Sequence, residues 1–201
     1  MALIDTGLRK FTDGGAHSLL QGTDSSGVPR NVRVDTVTNS MMTIDHGHHE
    51  VHDGDAYRYA DSVTLGATAI QDYLLTVADT TSWPHFTFSV DGTAITTVEV
   101  FRATNKVGTT LQATFNANEN STNTAGLTIH KAVSGGTTDG TRLFVYSSGT
   151  ASGSSKSDGA GVYGTERILK QNTKYIIRIT SGTTGNLCNF RAEWYEHTSL
   201  T

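Results

Sequence analysis

The sequence predicts an all-β fold: an antiparallel, jelly-roll-like β-sandwich preceded by an extended N-terminal arm. Three observations predict it. The 201 residues include 21 glycines and only 2 prolines, are rich in Thr, Ser and Asn, and are charged at just 17% of positions, a balance that favours short strands and tight turns over helices. From about residue 57 onward the apolar residues recur with a period of two, the signature of strands that bury one face. Turn residues separate these runs at Asp91-Gly92, Gly108, Gly135-Gly136, Asp139-Gly140 and Gly182 with Gly185.

The elements follow in order. Residues 1–44 are assigned to an arm and a lead-in strand: Gly14-Gly15, Gly22, Gly27 and Pro29 break the segment, and Leu8, Phe11, Leu19 and Leu20 settle into no sustained period. Isolated apolar residues of this kind suit an extension that lays anchors into grooves on a partner. "NVRVDTV" then alternates through Val32 and Val34 as a first strand. Residues 45–201 are assigned to the sandwich, with strands at 69–79, 85–90, 94–104, 111–115, 127–133, 141–147, 174–180 and 187–195 and a further run near 57–65. That number fills two sheets wired as Greek keys, and no stretch offers the crossover helices a parallel sheet needs. The Gly/Ser-rich segment 147–164 has no core pattern and reads as a long surface loop.

Charge and cysteine usage narrow the function classes. The formal charge of -4 gives no basic surface for nucleic acid, which binds by releasing counterions from phosphates. Residues 45–80 hold seven acidic side chains against Arg58 alone, while residues 101–201 hold ten Lys or Arg against six acids, an asymmetry suited to head-to-tail or side-by-side association. The single cysteine, Cys188, forms no internal disulfide and shares a strand face with Phe190, Ala192 and Trp194, as a buried inert thiol does. No apolar window approaches the length of a membrane span and "MALIDTGLRK" has no long apolar core, so the expectation is a soluble protein made in a cytoplasm.

The conspicuous cluster is "MTIDHGHHEVHDGDAY" at 42–57, with His46, His48, His49 and His52 inside seven positions. If this segment is a strand, His46, His48, Glu50 and His52 share one face and hold donor atoms enough for a metal. A cupin centre opens with a similar His-x-His pair, but Glu50 follows too soon after His48, and His85 and His130 lack the surroundings of a second motif. The expectation is therefore no metal, no cofactor and no catalytic residue, the histidines lining an interface. No nucleophile elbow, phosphate loop or Cys-x-x-Cys pair is present. Trp83, beside Pro84, reads as a core plug at a turn, with stacking on a sugar as its other role.

"HHEVHDGDAYRYAD" together with "RILKQNTKYIIRITSGTTGNLCNFRAEWYEH" resembles small structural proteins of tailed bacteriophages. The shared features are the His-His-Glu-x-His-x-Gly opening and the closing Ala-Glu-Trp-Tyr-Glu strand, and the resemblance covers about residues 44–197. It implies a virion protein of the decoration or cement type with a β-sandwich fold. Such a protein is not an enzyme; it binds the major capsid protein and copies of itself, as a dimer or trimer, on the outside of the head, with neither nucleic acid nor membrane as partner. The candidate partner-binding residues are the arm's apolar anchors Leu8, Phe11, Leu19 and Leu20, which the resemblance does not cover, and His46, His48, His49 and His52. Two other functions stay open: a tail module that recognises host glycans, and a cupin-like enzyme using His46, His48 and His52.

Overall fold

The computed structural model describes residues 21–23, 29–31, 46–149 and 166–198. They belong to two units. In the first, β1 (Gln21–Thr23) and β2 (Pro29–Asn31) pair antiparallel, with Gln21 opposite Asn31 and Thr23 opposite Pro29. This hairpin interrupts the segment read as an arm; Val32 and Val34, assigned to a lead-in strand, lie outside the described residues, as does 150–165 of the Gly/Ser-rich segment.

The second unit opens with a helix, α1 (His46–Asp53), and continues as strands: β3 (Ala56–Leu65), β4 (Ile70–Val77), β5 (Ser82–Gly92), β6 (Thr96–Arg102), β7 (Val107–Leu111), β8 (Phe115–Asn116), β9 (Leu127–Ser134), β10 (Thr141–Ser148), β11 (Arg167–Ile168), β12 (Thr173–Ser181) and β13 (Asn186–Thr198). They form two antiparallel sheets, ordered β10-β6-β12-β4-β9-β7 and β11-β5-β13-β3-β8, packed as the all-β sandwich the sequence predicts. No helix among the described residues is long and apolar enough to cross a membrane.

Alternation along each strand builds the core. Tyr57, Tyr59, Phe86, Phe88, Val90, Cys188, Phe190, Ala192 and Trp194 of one sheet meet Tyr73, Leu75, Val98, Val100, Ile129, Ile177 and Ile179 of the other, all buried. Phe190 stacks on Tyr73 with ring centroids 4.4 Å apart. Tyr73 is fully buried and satisfies its hydroxyl by donating to Asp61 Oδ2 at 2.6 Å. Lys131 pairs with the same carboxylate, so the polar group that the core encloses is partnered twice. Burial, then the bond to Asp61, pushes the Tyr73 hydroxyl far above its ordinary pKa.

Three local expectations are corrected. "LQATF" is not one strand: β7 ends at Leu111 in the six-stranded sheet, while Phe115 pairs with Arg58 in the other, so the chain changes sheets between them. Gly108 lies inside β7, where a Cβ would collide with His130 of β9. Trp83 is no core plug; it lies on the outward side of β5, 37% exposed, and the inward position falls to Pro84. Pro84 has no N–H to give to a ladder, and its carbonyl accepts from Leu169 N–H at 2.9 Å where pairing with β11 begins.

The six-stranded sheet carries a second, smaller apolar cluster of Leu74, Phe101 and Ile176 with Val133. Leu74, Phe101 and Ile176 alternate with the core-facing residues of their own strands, so they lie on the outer face. The connection from β6 to β7 and the connection from β9 to β10 meet over it. Asn105 Oδ1 accepts from the N–H groups of Thr137 and Thr138, at 3.0 and 3.1 Å, and the Thr104 hydroxyl donates to Thr138 O at 2.9 Å. Beneath them the Arg178 guanidinium forks both ways: to Asp72 through Nε and Nη2, at 2.8 Å each, and to Asp139 through Nη1 and Nη2, at 2.9 and 3.0 Å. Lys106 also pairs with Asp139. Part of the charge asymmetry in the sequence is thus consumed inside the chain, since Asp61 and Asp72 of the acidic stretch pair with Lys131 and Arg178 of the basic half.

Replacing Arg178 with Ala removes the cation that Asp72 shares with Asp139 and leaves Asp139 to Lys106 alone. Chemical denaturation should show a loss of about 2–3 kcal/mol, just under the range for a fully buried pair, and Arg178→Lys should recover only part of it because an ammonium cannot fork. Hydrogen bonds from Arg178 and then Lys106 hold the Asp139 carboxyl below its ordinary pKa. The stability it contributes is complete above about pH 4, the unfolded-state value, and vanishes as pH falls through the lower folded value. Melting temperature followed from neutral pH into acid should therefore fall less steeply in Asp139→Asn than in the parent.

Candidate functional site

The histidine segment is helical, which corrects the strand reading and with it the shared face of His46, His48, Glu50 and His52. Residues two apart on a helix do not face each other, whereas residues four apart do. His48 and His52 accordingly meet, Nε2 to Nε2, at 2.9 Å, with ring centroids 4.7 Å apart. His49 turns instead to Asp53, with Nδ1 to Oδ2 at 3.2 Å. Glu50, a member of the imagined ligand face, is buried at the helix underside. His46 opens the helix. Leu8, Phe11, Leu19 and Leu20 lie outside the described residues.

A helix forms here because its C-terminal carbonyls find donors. Gly54, at φ +82°, turns the chain so that its own N–H and that of Asp55 both return to Glu50 O, at 3.1 and 3.0 Å. The Asn-rich stretch after β8 supplies side-chain amides to the rest. Asn118 donates to His52 O at 3.2 Å, Asn116 to Gly54 O at 2.6 Å, and Asn123 to Asp55 Oδ1 at 3.0 Å. Those donors come from a loop more than sixty residues downstream, invisible to any local window.

The Ala-Glu-Trp-Tyr-Glu strand divides its residues between two tasks. Glu196 is buried and accepts three hydrogen bonds, from Trp194 Nε1 at 3.0 Å, Gly126 N at 2.9 Å and Leu127 N at 2.8 Å. It thereby fastens the end of β13 to the start of β9 in the opposite sheet. Tyr57 lies close by, and burial, with the negative charges of Glu196 and Asp55 adding to it, pushes its hydroxyl up to about 12. Outward-facing Tyr195 instead donates to Glu166 Oε1 at 3.1 Å, and His85 Nδ1 meets the same oxygen at 2.7 Å. The His85 and Tyr195 rings stack at 4.6 Å. With Arg58, Thr87 and Glu193 they line an open groove of about 390 Å³ on the outer face of the five-stranded sheet, bordered by Val51 of α1.

The groove brings together an imidazole, a carboxylate and a phenol. Cys188 is fully buried between the sheets, and burial raises its thiol pKa. Among the described residues, no set of three or more His, Cys, Asp or Glu side chains is placed to hold a metal ion.

Most of the exposed large apolar side chains among the described residues lie elsewhere, on the sandwich flanks; Ile70, Trp83 and Leu187 are the exceptions. Val107, Leu111 and Phe115 border the flank formed by β7 and β8, and Leu143, Val145 and Ile168 the opposite flank formed by β10 and β11. Leu111 and Phe115 are each more than 60% exposed. Among the described residues β7, β8, β10 and β11 each pair with a single strand, β9, β3, β6 and β5, and so stand at the sheet edges.

At Gly54 a Cβ meets Ser121 and the backbone is left-handed. Gly54→Ala should cost about 1–3 kcal/mol in a denaturant titration and lower the helical signal at 222 nm, whereas Gly66→Ala, whose Cβ meets only ordinary contact, should change neither.

Comparison with protein-family models, with curated proteins and with solved structures finds no match to this chain.

Proposed function

We propose that the chain is a structural component of a tailed-phage particle, a decoration protein that binds the outer surface of the head and bridges neighbouring capsid subunits. The observation that carries this reading is the distribution of exposed apolar side chains: among the described residues six of the nine large ones border the two flanks of the sandwich, and none lines the groove at His85 and Tyr195. A protein that works between neighbours needs sticky edges on opposite sides, and one that works on a small substrate needs a converging pocket. The strand order adds support at the level of architecture. β3 pairs with β13, β4 with β12, β5 with β11 and β6 with β10, a nested order that supports jelly-roll wiring, an architecture frequent in capsid and lectin domains.

On this reading the partners are the major capsid protein and further copies of the chain, as a dimer or trimer. Each contact is weak, and repetition over a symmetric shell makes the sum strong. The site of action is the capsid surface of a particle assembled in a bacterial cytoplasm. A second reading, a tail module that recognises host glycans, is favoured by the groove, where the Tyr195 and His85 rings border polar side chains of Arg58, Glu193 and Thr87.

A single-particle reconstruction of the virion whose genome encodes the chain distinguishes them. Density for the sandwich is expected on the outer head surface, over seams between subunits, and Leu111→Lys with Phe115→Lys should reduce head occupancy without lowering the melting temperature of the free protein. Density at the tail tip with glycan binding favours the second reading, and absence from the particle overturns both.

A further inference from the structure

The helix brings two imidazoles together. His48 and His52 stand four apart on α1, both exposed, with Nε2 atoms 2.9 Å from each other. Their spacing is that of a chelate. Metal–imidazole bonds are about 2.0–2.1 Å long, so two of them at about 90° separate the nitrogens by about 2.9 Å, whereas about 109°, the tetrahedral angle, needs about 3.3 Å. The observed separation matches the right-angled case, the geometry of tetragonal and octahedral ions.

We propose that His48 and His52 form a bidentate site for a divalent transition-metal ion that prefers imidazole nitrogen and right-angled ligands, of the Ni²⁺ and Cu²⁺ class. The inference is independent of the particle reading. Three further features of the structure favour a cation at this place. His52 occupies the last turn of the helix, where the peptide dipoles present their negative end. Residues 46–55 contain Glu50, Asp53 and Asp55 and no Lys or Arg. The turn carrying His52 is pinned by Asn118, which donates to His52 O at 3.2 Å, so the second ligand is held in place before the ion arrives.

The proton count closes without loss. In the hydrogen-bonded pair of neutral rings one Nε2 carries the proton and the other accepts it. For both Nε2 atoms to bind the ion, the donating ring shifts its proton to Nδ1, and the ion takes the place of the shared hydrogen. The remaining positions around the ion are filled by water. His49 is excluded from the chelate because its Nδ1 faces Asp53.

The test uses the full chain without a histidine tag. Titration calorimetry with NiCl₂ should show saturable binding of a single ion per chain. His48→Asn and His52→Asn should each weaken it by roughly 100-fold, the loss expected when a two-point attachment becomes one-point. His49→Asn should leave it within about twofold on the same argument. Both altered positions are exposed, so circular dichroism should report folded variants. Electron paramagnetic resonance of the Cu²⁺-loaded chain should show two equatorial nitrogens, falling to one in either variant. Nickel binding that survives His48→Asn combined with His52→Asn, no saturable binding at all, or a copper spectrum with a single nitrogen in the parent would each overturn the assignment.

Discussion

The wiring of the six-stranded sheet imposes the constraint on which the rest of the molecule depends. β6 and β7 lie almost at opposite ends of it, as do β9 and β10, so two connections must travel back across strands already in place. Backbone laid over a sheet face brings polar groups that need partners. Asn105 and Thr104 satisfy them between the two connections, and Arg178 ties the upper layer to the strands through Asp139 and Asp72. Arginine is required because one planar guanidinium can fork to two carboxylates at once. With the connections held, Leu74, Phe101 and Ile176 gain a cover, and both sheet faces of β4, β6 and β12 are put to use.

A similar economy joins the two sheets at the other end of the core. Glu196 supplies acceptor atoms to Trp194 and to the first residues of β9, while the adjoining Asn-rich loop closes the carbonyl end of α1. Glu196, Trp194 and the histidine helix therefore sit around one structural joint. What they leave for interaction is the outer surface: Tyr195 and His85 along the groove, the His48 and His52 pair on the helix, and the apolar side chains on the flanks.

The strands were legible because burial on one face writes a period of two into the sequence, and "KYIIRIT" and "LCNFRAEWY" carry it plainly. The helix was not. "HGHHEVHD" alternates well enough to pass for a strand, and its helical state rests on Gly54 and on amides from Asn116, Asn118 and Asn123, donors far away in the chain. The misreading of "LQATF" has the same origin, since an alternating run says nothing about which sheet each half joins. Trp83 reads as an inward plug from its place beside a proline at a turn, but in the strand Pro84 itself holds the inward register.

By itself the sequence determined that this is an antiparallel β protein with one buried thiol, because periodicity and turn chemistry are local properties that survive without knowledge of any partner strand. Only the tertiary structure decided that eight of the eleven strands of the two sheets pair in a nested order, that Arg178 serves two carboxylates, and that His48 meets His52. Each of these depends on groups brought together from distant parts of the chain, or on a backbone state stabilised by them, and no window of residues contains both halves of such a contact.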